Sequence, residues 1–518
     1  MITINKIKLW ALTLSMMVSA SACSDWLAVD MEDSILEDKL YETNDGFLYS
    51  LNGIYTKMNE NYASTLSMGP IDVMAQYYDI SKNNSHSYYA FATYNSEEYK
   101  NTSNALWTNQ YALIANLNVL LEHCDTPDAA ISKVYYPYVK GEALALRAFF
   151  HFDLLRIYGP IYSESTAGQT TIPYQETSSK DIQPLLSAQT VMEKVIRDLK
   201  AASELLKDDR IRTEGVMHGE SENPNETTSL RYRQYRMNYY AVQALLARAY
   251  LWMGNKQEAA RVAKAFIEEE AGKEKDKKVF PWTEKAAATH PSTPDRLFSS
   301  EVIFSLYNTS RVNIYDQRFK KSTDMRSILA FQGDDLGQGN LNSKLTYFYD
   351  DMNDVRRDPM WTIEEINQTD ETGGTTKTQK MACFHKFENF AGVSSRYMIP
   401  LIRLSEIYLI AAECESDPQK ALDYVNAIRK VRNCVDVKLP EAEGESKVKK
   451  AITDEFMREV IGEGQLFFYY KRHATPVILG GNGFSDGNWG PTIGEVTMNM
   501  KDYVWPMPEV EMDKRAQE

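Results

Sequence analysis

Residues 244–267, ALLARAYLWMGNKQEAARVAKAFI, decide the fold. Within the longer helical stretch 238–268, Leu246, Tyr250, Gly254, Ala259 and Phe266 fall at the spacing of a tetratricopeptide repeat. Ala247 and Ala259 are small enough for two antiparallel helices to approach closely, while Tyr250 fills the gap and Gly254 permits the tight turn. Such a hairpin cannot bury its apolar face alone, so neighbouring hairpins are expected. One lies at 402–432, where Leu404, Tyr408 and Ala411 precede a turn near Asp417-Pro418 and then Ala421, Val425 and Ile428.

The same three- and four-residue periodicity recurs elsewhere. Residues 104–123 align Leu106, Leu113, Leu117, Leu120 and Leu121. Residues 140–158 align Ala143, Leu146, Phe150, Leu154 and Ile157 before Gly159-Pro160 ends the run. Residues 188–206 align Val191, Val195, Leu199, Ala202 and Leu206, and 450–470 predict a final helix pair. The expected class is all-α, with scaffold segments over 104–158, 188–268 and 402–472. Two regions differ. Residues 66–103 are polar and rich in tyrosine, and 271–400 hold short apolar runs such as 302–306 among polar loops. Stretches 332–343 and 368–380 read as loops or short hairpins. Excursions of this kind on a rigid scaffold are where binding usually sits.

A chain of 518 residues suffices for one large core or two smaller ones. Its formal net charge of −15 argues against a nucleic-acid partner, since phosphate backbones repel such a surface. At the N-terminus, Lys6 and Lys8 precede an apolar run from Leu9 to Ala22. That run is too short to span roughly 30 Å of hydrocarbon. It reads as a secretory signal peptide over 1–22, leaving 23–518 as a single domain. Ala20, Ser21 and Ala22 directly precede Cys23 in a lipobox-like arrangement, with Ala20 where leucine is usual. Cys23 is therefore the expected acylation site, and its acyl chains would anchor the protein at about 0.8 kcal/mol per buried methylene. Among the other cysteines, Cys124, Cys383, Cys414 and Cys434, buried free thiols are expected, with a Cys414–Cys434 pair as the alternative.

With these segments in order, the chain resembles the SusD/RagB family of outer-membrane lipoproteins. The resemblance rests on the start at Cys23-Ser24-Asp25-Trp26-Leu27, on KGEALALRAFFHFDLLRIYGPI from Lys140, and on YYAVQALLARAYLWMGNKQEAA from Tyr239. EVIFSL, IRLSEIYLIAAE, ALDYVNAIRKVR, MREVIGEGQLFFYYKRH and YVWPMPEVEMD follow in family order. Gly462-Glu463-Gly464-Gln465 follows Val460-Ile461 where the family often carries another pair, and the ligand regions match nothing in detail. The resemblance implies one helical domain with four tetratricopeptide-like hairpins. It also implies a SusC-like TonB-dependent transporter barrel as partner, outer-membrane, surface-facing attachment through the lipid, and an oligosaccharide ligand. Peptide or protein is the alternative ligand, in the RagB branch.

A sugar ring presents an apolar C–H face and an equator of hydroxyls, so its site needs flat aromatics beside planar polar groups. Tyrosine and tryptophan offer rigid area with a polar edge. Among 32 tyrosines and eight tryptophans, the candidate ligand-binding residues are Tyr77, Tyr78, Tyr88 and Tyr89. Trp282, Tyr307, Asn308, Arg311 and Tyr315 form a second candidate wall. Trp107 and His151 read as packed helix residues. Arg147, Arg248, Arg429 and Arg432 read as helix-surface ion pairs or, alternatively, as contacts to the barrel; Glu142 and Glu413 read as helix-surface or capping groups. The Gly-Asn-Asp stretch at 480–490 reads as a turn-rich surface loop, with a calcium site through Asp486 as the alternative. No HExxH, GxSxG or phosphate-cradling loop occurs, and no carboxylate pair stands in a recognisable catalytic setting. No catalytic residue, metal or cofactor is expected.

Overall fold

The computed structural model describes residue 37 and residues 39–516, apart from 79, 82, 220–227, 275–276, 333–342, 440–443 and 484–491. The signal peptide over 1–22, Cys23, Asp486 and most of the 332–343 loop lie outside the described residues. Helix dominates what is described. The principal helices are α1 (Asn44–Tyr62), α2 (Ser96–Cys124), α3 (Tyr136–Tyr158), α4 (Ala188–Leu205), α5 (Tyr239–Trp252) and α6 (Lys256–Ala271). After them come α7 (Arg311–Arg318), α8 (Leu404–Cys414), α9 (Pro418–Val431), α10 (Gly444–Glu459) and α11 (Leu466–Arg472).

Packing follows chain order. Each helix from α1 to α6 lies against the next, α6 continues onto α8, α8 onto α9, and α9 onto α10. The pairs α1/α2, α3/α4, α5/α6 and α8/α9 thus form one stack, as the repeat spacing predicts. In the α5/α6 pair, Ala247 and Ala259 are fully buried where the helices meet. Gly254 adopts a φ of +75° between them, a backbone that disfavours a side chain. Asn238 and Asn255 cap the two helices by accepting the Ala241 and Glu258 N–H groups. Asp417 does the same for α9, with Pro418 in the first helical position. The central helix α3 is buried nearly all round, more than the one apolar stripe predicts, because α2 and α4 cover both its sides.

The stack also encloses faces that a lone helix would expose, which corrects the reading of the arginines. Arg147 is buried against Asp198 at 2.7 Å, and Arg248 forks onto Glu406 at 2.6 Å. Arg432 bridges Glu301 and Glu459, and Arg429 meets Asp350. Glu142 is likewise buried, on Arg233 and the Tyr55 hydroxyl. Glu413 is forked by Arg472. Burial alone would raise the Glu413 carboxyl, but the Arg472 guanidinium outweighs it and holds the group well below the usual carboxylate range. His151 and Trp107 are packed in the core, as expected. The four described cysteines are free thiols; Cys414 is only partly buried and the other three are buried.

Strand content is minor. β1 (Val302–Tyr307) pairs antiparallel with the fully buried β5 (Met398–Arg403). A three-stranded sheet orders β2 (Ala330–Gln332), β4 (Thr375–Phe384) and β3 (Trp361–Thr369), so 368–380 belongs to a hairpin. β6 (Val477–Gly483) pairs with β7 (Thr492–Thr497). The expected loop at 480–490 therefore begins inside a strand, and its residues 484–490 are not among those described. α1 lies outside the expected scaffold segments. It starts on Thr43, whose hydroxyl accepts the Gly46 N–H, and buries Phe47, Leu51, Ile54 and Met58 against α2.

Candidate functional site

A cavity of about 900 Å³ opens where α1, the 216–236 segment, the end of β1 and residues 394–398 converge. Its floor is set by buried charge. Arg233 is fully buried and pairs with Asp209 at 2.7 Å and Glu142 at 2.5 Å. Glu142 also accepts the Tyr55 hydroxyl at 2.7 Å, and that hydroxyl accepts the Met237 N–H at 2.8 Å. Such a fully paired group holds its neighbours in place, since breaking any one link strands a buried charge. The Tyr232 N–H reaches the Met217 carbonyl and the Arg233 N–H reaches that of Val216, pinning the two ends of the segment together. Gln234 donates to the carbonyls of Ser299 and Val302, tying the segment to β1.

Rings line the opening. Tyr307, the last residue of β1, leaves the core after five buried residues and is 53% exposed. Its backbone is held on both sides: β1 pairs it with Met398, and its carbonyl accepts the Asn59 side chain of α1. The Tyr307 ring stands edge-on to Tyr235 at 5.6 Å and to Tyr397 at 5.3 Å. Tyr232, in the left-handed backbone region at φ +52°, presents a further exposed ring. Polar groups alternate with these rings. The Arg236 guanidinium lies 4.9 Å over the Tyr55 ring and donates to the Asn52 side-chain oxygen. Ser300, Ser394 and Lys278 complete the wall. Open to solvent, the cavity offers flat faces and hydroxyl partners, which suits a hydroxyl-rich ring ligand bound without a covalent step.

Of the nine candidate residues, Tyr307 lines this cavity and the other eight do not. Tyr77 and Tyr78 are core residues, 2% and 1% exposed, so they cannot present a ring to a ligand. Tyr77 packs on Phe348 and gives its hydroxyl to the Met457 carbonyl at 2.8 Å; Tyr78 packs on Phe319 and faces Asp72. Burial pushes both phenols well above their ordinary pKa. Tyr88 is half-buried beneath the Arg318 guanidinium, and Tyr89 opens a short helix, Tyr89–Ala92. Trp282 leans edge-on against Tyr408 at 5.1 Å.

Asn308, Arg311 and Tyr315 are buried behind the wall instead of on it. Asn308 receives the Ser310 N–H on its side chain and gives its own N–H to the Tyr397 carbonyl. Arg311 holds the Met398 carbonyl at 3.2 Å, and Tyr315 bonds to His385. Burial lowers the Arg311 guanidinium to about 10. The residues that sequence reasoning missed are Tyr232, Tyr235, Arg236 and Tyr397. For the first three the signal was the run RYRQYR at 231–236, in which aromatic and cationic side chains interleave; Tyr397 lies outside it. Among the described residues, no group of three or more His, Cys, Asp or Glu is placed to hold a metal ion.

Two family descriptions match the chain in succession. Residues 35–218 match the SusD-like family described as "Starch-binding associating with outer membrane", and residues 310–517 match the SusD family. The chain belongs to the SusD/RagB family. A SusD-like protein of Formosa agariphila is 26% identical over 189 residues. That match covers 36% of this chain and about a third (35%) of the relative's length. Solved SusD structures share the fold throughout. A SusD superfamily protein of Bacteroides thetaiotaomicron superposes with a TM-score of 0.65 at 21% identity, covering 91% of this chain and 98% of its own. The "Putative sugar binding protein" of Bacteroides vulgatus gives 0.62 at 22%, with 91% and 96% covered. A laminarin-binding SusD-like protein gives 0.58 at 15%, with 91% and 98% covered. Among the described residues, no helix is long and apolar enough to cross a membrane.

Proposed function

We propose that this SusD-family protein captures oligosaccharide non-covalently in the cavity at Tyr307 and hands it to a SusC-like TonB-dependent transporter. Acylated Cys23 would hold the protein at the outer-membrane surface, close to that barrel. The observation that carries the capture reading is the exposed Tyr307 ring, braced edge-on by Tyr235 and Tyr397 at the mouth of a 900 Å³ opening. The family description as starch-binding, and a structural neighbour that binds laminarin, support the same ligand class. Rings cover pyranose C–H faces, while Asn52, Arg236 and the serines answer hydroxyls. Because water competes for every hydroxyl, the affinity should be modest.

The test is Tyr307→Ala, read by affinity electrophoresis through gels carrying a panel of polysaccharides. The substitution removes a stacking surface worth about 1–2 kcal/mol and should weaken retention roughly tenfold, with the melting temperature unchanged. Unaltered retention would remove Tyr307 from the site. Retention of none of the glycans by the native protein, with binding of peptides instead, would favour the RagB-like alternative.

A further inference from the structure

We propose that a second sugar subsite lies on the exposed face of α1, at Tyr49 and Gly53, continuous with the Tyr307 cavity. Resting on the capture reading above, this subsite makes the ligand a linear oligosaccharide that runs out of the cavity along the helix.

α1 buries Phe47, Leu51, Ile54 and Met58 on one side. Tyr49, Asn52, Gly53, Thr56 and Asn59 recur at three- and four-residue steps, so they share the other face. Asn52 and Thr56 line the cavity, and the Asn59 side chain donates to the Tyr307 carbonyl at 3.2 Å. The face that meets the Tyr307 backbone at one end therefore carries Tyr49 at the other. At 1.5 Å of rise per residue, Tyr49 and Asn59 stand about 15 Å apart along the axis, room for several pyranose rings. Tyr49 is 66% exposed, more open than Tyr307.

One exposed tyrosine on a helix needs no explanation, but Gly53 beside it does. Glycine inside a helix is less favourable than alanine, and it is kept for a positive φ or for a close approach. Gly254 turns at a φ of +75°, and at Gly141 a Cβ would fall 2.8 Å from the Leu206 side chain. Gly53 has neither reason. Its backbone is ordinary α-helix, and a Cβ built there meets no atom within 4 Å among the described residues.

Side chains on a helix lean toward its N-terminus, so residue 53 is the one placed to spread over Tyr49, one turn back. With glycine there, the ring keeps an open face and the helix backbone beside it stays bare. That step accommodates a flat partner arriving from solvent, and the C–H face of a pyranose is such a partner. Between the two rings, Thr56 gives its hydroxyl proton to the Asn52 carbonyl at 3.0 Å. Its oxygen is left to accept from a sugar hydroxyl.

The test is affinity electrophoresis of the full chain through gels carrying starch, laminarin, xylan or pectin, with Tyr49→Ala and Gly53→Leu beside Tyr307→Ala. In each gel that retards the native chain, Tyr49→Ala is expected to weaken retention about fivefold. Gly53→Leu should weaken it similarly by covering the ring, while the melting temperature holds or rises, since leucine favours helix over glycine. A glycine needed only for packing would give the reverse, a lower melting temperature with retention kept. Titration with size-fractionated oligosaccharides of the retained polysaccharide then reads the position. Tyr49→Ala should bring long oligomers down to the affinity of short ones and leave the disaccharide unchanged. If both α1 variants are retained like the native chain, or if every length loses affinity alike, the subsite is overturned, and Tyr307→Ala decides the cavity separately. If no gel retards the native chain, the capture reading falls and the subsite with it.

Discussion

Glu459→Gln should lower the melting temperature by several degrees, because Glu459 is the hub of a buried charge cluster. Arg356, Lys386, Arg403, Arg429, Arg432 and Arg458 face the buried Glu301, Asp354, Glu455, Glu459 and Glu463 and, at the cluster's exposed edge, Asp350, so the two signs balance. Glu459 alone receives Arg356 and Arg432 at 2.7 Å and Arg403 at 3.0 Å. Glutamine keeps the shape but leaves one uncompensated positive charge among residues that water does not reach. Removing one partner of a buried pair costs about 3–5 kcal/mol. Unfolding entropy of about 2.1 cal/mol/K per residue gives roughly 1 kcal/mol/K for a chain of this size. The expected loss is therefore about 3–5 °C in a calorimetric melt at neutral pH.

Glu258→Gln is the control, since its pairing with Arg261 lies on the surface and should shift the melt immeasurably. The effect also has a pH signature. Burial by itself would raise the Glu459 carboxyl, but Arg432, Arg403 and Arg356 outweigh it and hold the group well below its ordinary value. A depressed carboxylate contributes its stability in full above the unfolded value of about 4.3 and loses it as pH falls toward the folded one. The gap between native and variant proteins should therefore hold at pH 7 and narrow below about pH 4. A Glu459→Gln melt within about 1 °C of the native protein, or one matched by the surface control, would refute the reasoning.

Two further substitutions probe the packing. At Gly464, φ is +69° and an added Cβ would fall 1.6 Å from the Leu66 carbonyl oxygen. Gly464→Ala should therefore sharply cut the soluble yield or depress the melting temperature by several degrees, measured beside the native chain. Tyr77→Phe should cost about 1 kcal/mol, read by urea denaturation, by stripping the Met457 carbonyl of its hydroxyl partner. Oligosaccharide retention should be unchanged, which separates this core tyrosine from Tyr307.

Much of the fold is legible in the sequence because the physics that forms it is local. Ala247, Tyr250, Gly254 and Ala259 lie within thirteen residues of one another, and their sizes alone dictate a close helix pair. Asp417-Pro418 marks the start of α9 by the same short-range chemistry. α1 is less readable: its buried Leu51, Ile54 and Met58 are interleaved with asparagine and serine, so its apolar stripe is weak until α2 covers it. Tyr77 and Tyr78 mislead for a different reason. Their neighbours in the chain are polar, but their packing partners Phe348 and Phe319 and the Met457 carbonyl lie hundreds of residues away. No local pattern carries that information. The arginines mislead similarly, since a periodic charged residue looks the same whether its helix faces water or another helix.

Asn308 and Arg311 show how close a sequence reading can come to a site without touching it. Both sit next to Tyr307 in the chain, and both act on the segment opposite, through the Tyr397 and Met398 carbonyls. They hold the second wall at a fixed distance from the first. Arg233 does the same for the floor, and Asn59 for the Tyr307 carbonyl. The rings therefore owe their placement to residues that a ligand never meets. A wall braced this way has little freedom to lose on binding, so a few exposed rings can suffice for useful affinity where a mobile loop would not. The inward-facing polar residues of the second candidate wall are thus best understood as the brace for Tyr307, and their loss should loosen the cavity before it changes what the cavity contacts.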